Sequence, residues 1–128
     1  MLEGTDFPKS WIVKSIVLKA DDRFILAVLP VDGWIDLYRL KEEPGVRNLQ
    51  MADESELASL FPGCEFGAIP PFGNMYGLEV WVDPEVTHNE KILFKSGSHC
   101  EAIVMLYTDF ERITGPRKTA LSGGKPWL

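Results

Sequence analysis

The chain has 128 residues, 45% of them hydrophobic and 25% charged, which is ordinary for a single globular domain with a hydrophobic core. Its formal net charge of −6 argues against broad, sequence-independent binding of nucleic acid, although a small basic mouth for one end of a nucleic acid remains compatible with it. No apolar run approaches the length of a transmembrane helix, and the start MLEGTDFPKS lacks the charged and apolar regions of a signal peptide.

The two cysteines favour a reducing compartment. Cys64 and Cys100 are far apart in the sequence, and nothing near either of them resembles a set of metal ligands. We therefore expect reduced thiols, a cytoplasmic location, and neither a metal site nor a disulfide framework.

Residues 11–20, WIVKSIVLKA, are predicted to form a central strand, because β-branched and aromatic residues dominate them and both faces are largely apolar. Lys14 is the exception, since a two-residue repeat places it on one face with Ile12, Ile16 and Leu18. Burying an unpaired ammonium group is costly. Either the strand lies at an edge and Lys14 extends to water, or its amine lines a cleft that binds an anion.

The rest of the chain alternates short apolar runs with turn signals, which predicts strands at 24–31, 34–38, 46–51, 78–83, 91–96 and 101–107. Asp32-Gly33 is a hairpin turn signal ahead of the strand at 34–38. A short helix is predicted within 37–43, before Pro44-Gly45.

Two possible capping boxes predict further helices. One pairs Asp53 with Glu56, and the other pairs Thr108 with Glu111 in a helix that Gly115-Pro116 ends. The tail, 115–128, is predicted to be loose. This pattern predicts a single α/β domain over 1–128, with its core at 11–114 and a mixed, barrel-like β-sheet that has short helices packed outside.

Residues 61–77, FPGCEFGAIPPFGNMYG, form neither helix nor strand, because four glycines and three prolines fall within 17 residues. The segment is also too apolar for a solvent loop. Such a stiff, apolar segment is typical of a pocket wall, or of a long connection that packs on the core. Its composition leaves both alternatives open.

Familiar catalytic motifs are absent from the sequence, including GxxxxGK, GxGxxG, GxSxG and HExxH. His88 lies in a predicted turn and is expected at the surface. His99 follows Ser-Gly-Ser at the start of a strand and is a candidate for a site. Together with Lys14 and the glycine-rich loop at 61–77, His99 predicts a pocket that binds an anion.

The segments IVKSIVLKAD, FPGCEFGAIPPFG, LEVWVD and FKSGSHCEAI, in that order, resemble the YbaK/prolyl-tRNA-synthetase-associated domain family. Its members are aminoacyl-tRNA deacylases that clear mischarged amino acids, chiefly from tRNA for proline. The resemblance runs from about residue 11 to 114 and implies a mixed α/β domain around a barrel-like sheet.

The family resemblance also implies site residues. The signature lysine falls on Lys14, the GxxxP pocket motif on Gly67 to Pro71, and the glycine turn on 96–99. The catalytic residues implied are Lys14, Gly67 and Gly97. The substrate-binding residues implied are Ser15, Ile69, Pro70, Pro71, Phe72, Gly73, Ser96, Ser98 and His99.

The implied reaction is trans-editing: hydrolysis of the ester of a small amino acid on a mischarged tRNA, with no cofactor. Its partners would be the 3′ acceptor end of the tRNA and an aminoacyl-tRNA synthetase. An aminoacyl ester is already activated, so preorganised backbone donors can stabilise the oxyanion, and Lys14 would act as a clamp or as a base. Ile69 and Phe72 are expected to exclude larger amino acids.

Family members usually carry a helical segment ahead of the lysine strand, whereas here only MLEGTDFPKS precedes Trp11. We therefore expect a reduced grip on the acceptor stem. Two alternatives to the deacylase remain at the level of the sequence. One is a non-catalytic module of the same fold that binds a nucleotide or aminoacyl end, and the other is a structural domain whose loops simply pack.

Overall fold

The structure is a computed structural model that describes residues 7–123. It begins with a one-turn 3-10 helix, Lys9–Trp11, followed by an antiparallel hairpin of β1, Val13–Ala20, and β2, Arg23–Pro30. The tight turn between them includes Asp21, which adopts a φ of 57°. Strands at both positions agree with the sequence-based prediction.

The larger sheet has five strands in the order β3-β1-β2-β4-β7. The added strands are β3, Leu49–Met51, β4, Glu79–Val82, and β7, Arg117–Lys118. The β1 strand pairs antiparallel with β2 and β3, whereas β4 lies parallel to β2 and to β7. The sheet is therefore mixed, as predicted.

A second, two-stranded sheet consists of β5, Lys91–Lys95, and β6, Ala102–Leu106, in antiparallel pairing. A single parallel bridge between Ile12 and Leu93 brings β5 next to the start of β1. Neither sheet closes on itself within residues 7–123, so the predicted barrel-like arrangement is not confirmed.

Four short α-helices accompany the sheets in the described part of the chain: α1, Leu37–Leu40, α2, Glu54–Leu60, α3, Pro84–Thr87, and α4, Tyr107–Thr114. A second 3-10 turn, Gly73–Tyr76, lies in the long loop after α2. The predicted Asp53–Glu56 capping box is present at the start of α2. None of the helices within 7–123 has the length and apolar character needed to cross a bilayer.

Both faces of the five-stranded sheet are buried. Val17 of β1 packs in a cluster with Leu26, Val80 and Phe110, whereas its neighbour Leu18 packs on the other face with Trp81. Because successive residues of a strand point to opposite faces, β1 needs apolar residues at nearly every position. This explains why its sequence lacks the alternation of a strand with one solvated face.

The predicted strand at 34–38 is wrong. Asp36 instead caps α1, since its carboxylate accepts a hydrogen bond from the backbone N–H of Arg39. Only Ile35 makes a β-bridge, to Ser122. A favourable N-cap therefore outweighs the β-propensity of Trp34 and Ile35.

The predicted capping box of Thr108 and Glu111 is also wrong. Helix α4 begins at Tyr107, directly after β6, with no side-chain cap. The N-cap is Leu106, two residues before the predicted cap Thr108, and the N–H of Tyr107 donates to the carbonyl of Glu90. Gly115 ends the helix, as predicted, and adopts the left-handed conformation.

The prediction of a loose tail fails for the part of the tail that is described, up to Gly123. Strand β7 extends the sheet, and Leu121 is fully buried. The buried carboxylate of Asp83 accepts hydrogen bonds from the N–H groups of Leu121 and Ser122, each at 2.9 Å. A buried carboxylate requires such partners, and here the tail supplies them. Residues 124–128 lie outside the described part.

Candidate active site

A cavity of about 250 Å³ opens between the start of β1 and the hairpin of β5 and β6. Its walls come from β1, from the loop after α2, from β5 and from the turn that follows β5. The lining residues are Ile12, Val13, Lys14, Ser15, Val31, Gly67, Ile69, Leu93, Phe94, Lys95, His99, Cys100, Glu101 and Ala102.

Lys14 is partly buried in this wall. Strand β1 is central, but β3 pairs only with Leu18–Ala20, so the edge beside Lys14 is not covered by β3. The amine lies 5.7 Å from the centroid of the Trp34 ring. Within residues 7–123 no carboxylate forms an ion pair with it. Of the two alternatives for Lys14, the structure therefore favours the cleft.

The edge of β1 that β3 leaves uncovered also presents backbone groups to the cavity. The carbonyl of Ile12 accepts from Val31, on the β2 side, and the carbonyl of Val17 accepts from Ala52, on the opposite side. Because backbone groups alternate along a strand, Ser15 directs its N–H and C=O away from β2. They therefore point toward the gap that the cavity occupies.

Three hydrogen bonds join the glycine-rich loop to the turn after β5. The N–H of Gly97 donates to Ala68 at 2.7 Å, and its carbonyl accepts from Glu65 at 2.8 Å. The carboxylate of Glu65 accepts from the N–H of His99 at 2.6 Å. The N–H of Gly97 is thus already bonded and is not free to bind an oxyanion, which corrects its predicted catalytic role.

Both ring nitrogens of His99 have partners. Nε2 lies 2.7 Å from the carbonyl of Phe66, and Nδ1 lies 2.9 Å from the Nζ of Lys95. A carbonyl only accepts and an ammonium only donates, so Nε2 carries the proton and Nδ1 is the acceptor. These two contacts hold the ring in one orientation beside the cavity.

Gly67 lies directly against this ring. Its φ is +83°, and a Cβ atom at this position would lie 3.3 Å from Cε1 of His99. Both the backbone conformation and the space therefore favour glycine. Within the described residues its own N–H donates no hydrogen bond, and Gly67 lines the cavity.

Groups in the turn after β5 lower the pKa of the Glu65 carboxyl. The N–H of His99 and the Ser98 hydroxyl lower the pKa of its carboxyl, and the positive charge of Lys95 adds to this effect. The carboxylate therefore stabilises the turn in its ionised form. Among residues 7–123, no three His, Cys, Asp or Glu side chains cluster so as to hold a metal ion.

The structure brings together five of the predicted site residues around the cavity: Lys14, Ser15, Gly67, Ile69 and His99. The other seven do not line it: Pro70, Pro71, Phe72, Gly73, Ser96, Gly97 and Ser98. The motif GAIPPFG thus divides. Its first residues face the cavity, and its later ones turn into the core.

Two contacts explain why the motif leaves the cavity. The ring of Phe72 packs edge-on against Phe94, with centroids 5.5 Å apart. A Cβ on Gly73 would lie 2.9 Å from Cβ of Leu26, so the loop runs against β2 at this point. Phe72 and Gly73 therefore pack behind the cavity wall.

Lys95 is the principal site residue that the sequence analysis missed. It is the last residue of β5 and directly precedes the turn that carries His99. Two lysines and one carboxylate, that of Glu101, line the cavity. The cavity is therefore locally cationic on a protein whose net charge is −6. In the sequence, the position of Lys95 directly before the glycine turn could have identified it as a site residue.

A family model described as an aminoacyl-tRNA editing domain matches residues 2–113. The chain is 31% identical over 96 residues to the multifunctional Ser/Thr-tRNA deacylase ProXp-y of Escherichia coli, which covers 74% of this chain and 57% of that protein. It is 37% identical over 71 residues to the proline–tRNA ligase of Thermosipho africanus, which covers 56% of this chain and 12% of the ligase. The chain thus spans little more than half the length of the deacylase.

A similar fold occurs among solved structures. A candidate trans-editing enzyme for prolyl-tRNA synthetase superposes with a TM-score of 0.79 at 22% identity, over 91% of this chain and 73% of that chain. At this level of identity the likeness concerns the fold.

Proposed function

The chain belongs to the family of aminoacyl-tRNA editing domains, and we propose that it hydrolyses the ester of a mischarged aminoacyl-tRNA. The observation that carries this proposal is the cavity in which Lys14, the free N–H of Gly67 and the fixed imidazole of His99 converge. A cation next to unpaired backbone donors suits a substrate that joins a phosphate backbone to a polarised carbonyl.

The reaction requires positioning more than strong chemistry. Water attacks the ester carbonyl, the carbonyl oxygen becomes an oxyanion, and the ribose oxygen then leaves with a proton. The N–H of Gly67 and the N–H of Ser15 are the donors proposed for the oxyanion. Both residues line the cavity, the N–H of Gly67 has no hydrogen-bond partner within residues 7–123, and the N–H of Ser15 points away from β2. Gly97 has no part in this step.

Lys14 is proposed to hold the terminal nucleotide through its phosphate. Its side chain forms no ion pair within residues 7–123, so its charge is available to a ligand. Lys95 is held at His99 and adds to the positive potential. Potential focused in a cavity can attract an anionic chain end even where the whole protein is acidic.

The acyl group is proposed to come from a small amino acid. A cavity of about 250 Å³ with Ile69 in its wall limits the size of the side chain that enters. The relatives with printed activities are a Ser/Thr-tRNA deacylase and proline–tRNA ligases. We therefore propose small amino acids on tRNA for proline, with a synthetase as the partner protein. A tRNA substrate is consistent with the predicted cytoplasmic location.

The direct test is release of amino acid from tRNA for proline charged with alanine, serine, cysteine, threonine or proline. We expect hydrolysis of at least one of the small esters well above the rate without protein, and little of the prolyl ester. Binding of these tRNAs without hydrolysis would instead support the alternative of a non-catalytic binding module. The absence of both binding and hydrolysis would refute the proposal.

A further inference from the structure

Trp34 is an exposed aromatic residue beside the cavity. Its side chain is 54% exposed, although tryptophan is usually well buried. The sequence-based prediction placed it in a strand, and neither the fold nor the proposed mechanism explains its exposure. Its ring lies 5.7 Å from the amine of Lys14, which lines the cavity.

The loop that carries Trp34 is held in place from both sides. The N–H of Gly33 donates to Pro30 at 2.9 Å, and the N–H of Asp36 donates to Leu121 at 2.8 Å. Between them, Ile35 bridges to Ser122. The indole is thus presented to solvent by a fixed backbone, which reduces the entropy lost when a ligand stacks on it.

The substrate of the proposed reaction requires a place for a base. When the ester carbonyl lies in the cavity, the ribose to which it is bonded lies at the mouth, and the adenine of that same nucleotide must lie close by. Bases on single-stranded chain ends are commonly stacked on aromatic side chains. A single nucleotide can place its phosphate at Lys14 and its base on a ring as near as that of Trp34.

We propose that Trp34 is the stacking platform for the terminal adenine of the tRNA, with Lys14 binding the phosphate of the same nucleotide. This inference rests on the proposed function, since it takes the aminoacyl ester as the ligand of the cavity. It assigns a binding role to a residue outside the family motifs. Recognition of the base adds affinity at the chain end without requiring contact with the acceptor stem.

A binding experiment tests the platform without relying on catalysis. Adenosine 5′-monophosphate and ribose 5-phosphate are titrated calorimetrically into the parent, Trp34→Ala, Trp34→Phe and Tyr38→Ala. Tyr38 is the matched control, because it is 84% exposed and lies on the neighbouring helix. Stacking contributes about 1–3 kcal/mol per base, so we expect the parent to prefer the nucleotide by about tenfold or more.

Trp34→Ala should abolish that preference, Trp34→Phe should retain most of it, and Tyr38→Ala should match the parent. Equal affinity of the parent for both ligands, or a preference that persists in Trp34→Ala, would overturn the inference. Loss of the preference in Phe66→Ala but not in Trp34→Ala would also overturn the inference, because Phe66 is a second exposed aromatic residue near the cavity, 47% exposed and adjacent to Gly67.

A kinetic experiment separates the inference from the proposed function. The 3′-alanyl ester of the same nucleotide and its abasic counterpart serve as substrates. For Trp34→Ala we expect KM to rise about tenfold on the adenosine ester, kcat to change less than twofold, and the abasic ester to be unaffected. An equal rise on both esters would overturn the inference. A parent that prefers the nucleotide yet hydrolyses neither ester would refute the proposed function and leave the platform standing.

Discussion

The Nζ of Lys95 lies 2.9 Å from Nδ1 of His99 and fixes the proton of that ring on Nε2. The ring then bonds the carbonyl of Phe66, one residue before Gly67. Lys95 therefore acts on the cavity wall through His99, and it also contributes its own charge.

Replacing Lys95 with methionine should reduce kcat/KM by about tenfold, which corresponds to one hydrogen bond to a charged group. Nitrogen NMR of His99 should show the Nε2–H tautomer in the parent and a mixture of tautomers in the variant. Lys91→Met is the control, because Lys91 belongs to the same strand but does not line the cavity. An unchanged His99 signal in Lys95→Met would contradict the positioning role.

Lys14→Ala should lower deacylation by at least about 100-fold and leave the melting temperature nearly unchanged. The amine has no protein anion to lose within residues 7–123, so its removal leaves no buried partner charge. Lys19→Ala is the matched control on the same strand. Lys19 binds Glu56 at 2.9 Å, so this variant should lose a little stability and keep its activity. Full activity of Lys14→Ala would exclude the clamp.

Gly67→Ala should both destabilise and inactivate the protein. A left-handed φ costs a residue with a Cβ about 1–2 kcal/mol, and at Gly67 the new methyl also meets the ring of His99. Gly45→Ala is the matched control, since its φ is +84° and nothing lies within 4 Å of the added Cβ. Urea unfolding should show a loss of stability in both variants, and a larger one in Gly67→Ala. Deacylation should fall only in Gly67→Ala, and an equal fall in both would assign the effect to stability.

Local signals made much of the fold predictable. The Asp53–Glu56 capping box and the strand at Val13–Ala20 each depend on residues close together in sequence. The ordered tail was not predictable in this way, because it depends on Asp83, which is remote in sequence and buried only after the sheet forms. Local patterns do not report such long-range partners.

The sequence predicts which segments form the candidate site, but not which of their residues line the cavity. Lys14 conflicted with its apolar strand, and such conflicts commonly mark functional residues. Which residues of GAIPPFG face the cavity was not predictable, because the turn into the core depends on the contact of Gly73 with Leu26. The bond between Lys95 and His99 likewise depends on the conformation of the turn rather than on a motif.

Glu65 should make the stability of the turn dependent on pH. Its pKa is lowered in the folded protein, principally by the N–H of His99, relative to the ordinary value of 4.5. The ionised carboxylate therefore stabilises the fold fully above pH 4.5, and this stabilisation is lost as the pH falls through the lower folded pKa. Glu65→Gln should lower the melting temperature at neutral pH, and the difference from the parent should shrink on acidification below that range. If the difference in melting temperature stays constant down to the pH at which the protein unfolds, ionisation of Glu65 does not contribute to the stability of the fold.

Ile69 and Phe72, the bulky residues of the GAIPPFG segment, should behave differently when they are replaced. Ile69 lines the cavity, whereas Phe72 packs against Phe94 and Phe110 behind the wall. Ile69→Ala should therefore admit a larger acyl group and raise the rate on prolyl-tRNA relative to alanyl-tRNA by about 10-fold, since a cavity contact is worth about 1–3 kcal/mol. Phe72→Ala should cost about 3–5 kcal/mol of unfolding free energy and leave that ratio unchanged, because it removes core packing. Rates on both charged tRNAs, measured at a temperature where each variant is folded, decide between the two roles. If Phe72→Ala changes the ratio and Ile69→Ala does not, then Phe72 rather than Ile69 excludes the larger amino acids.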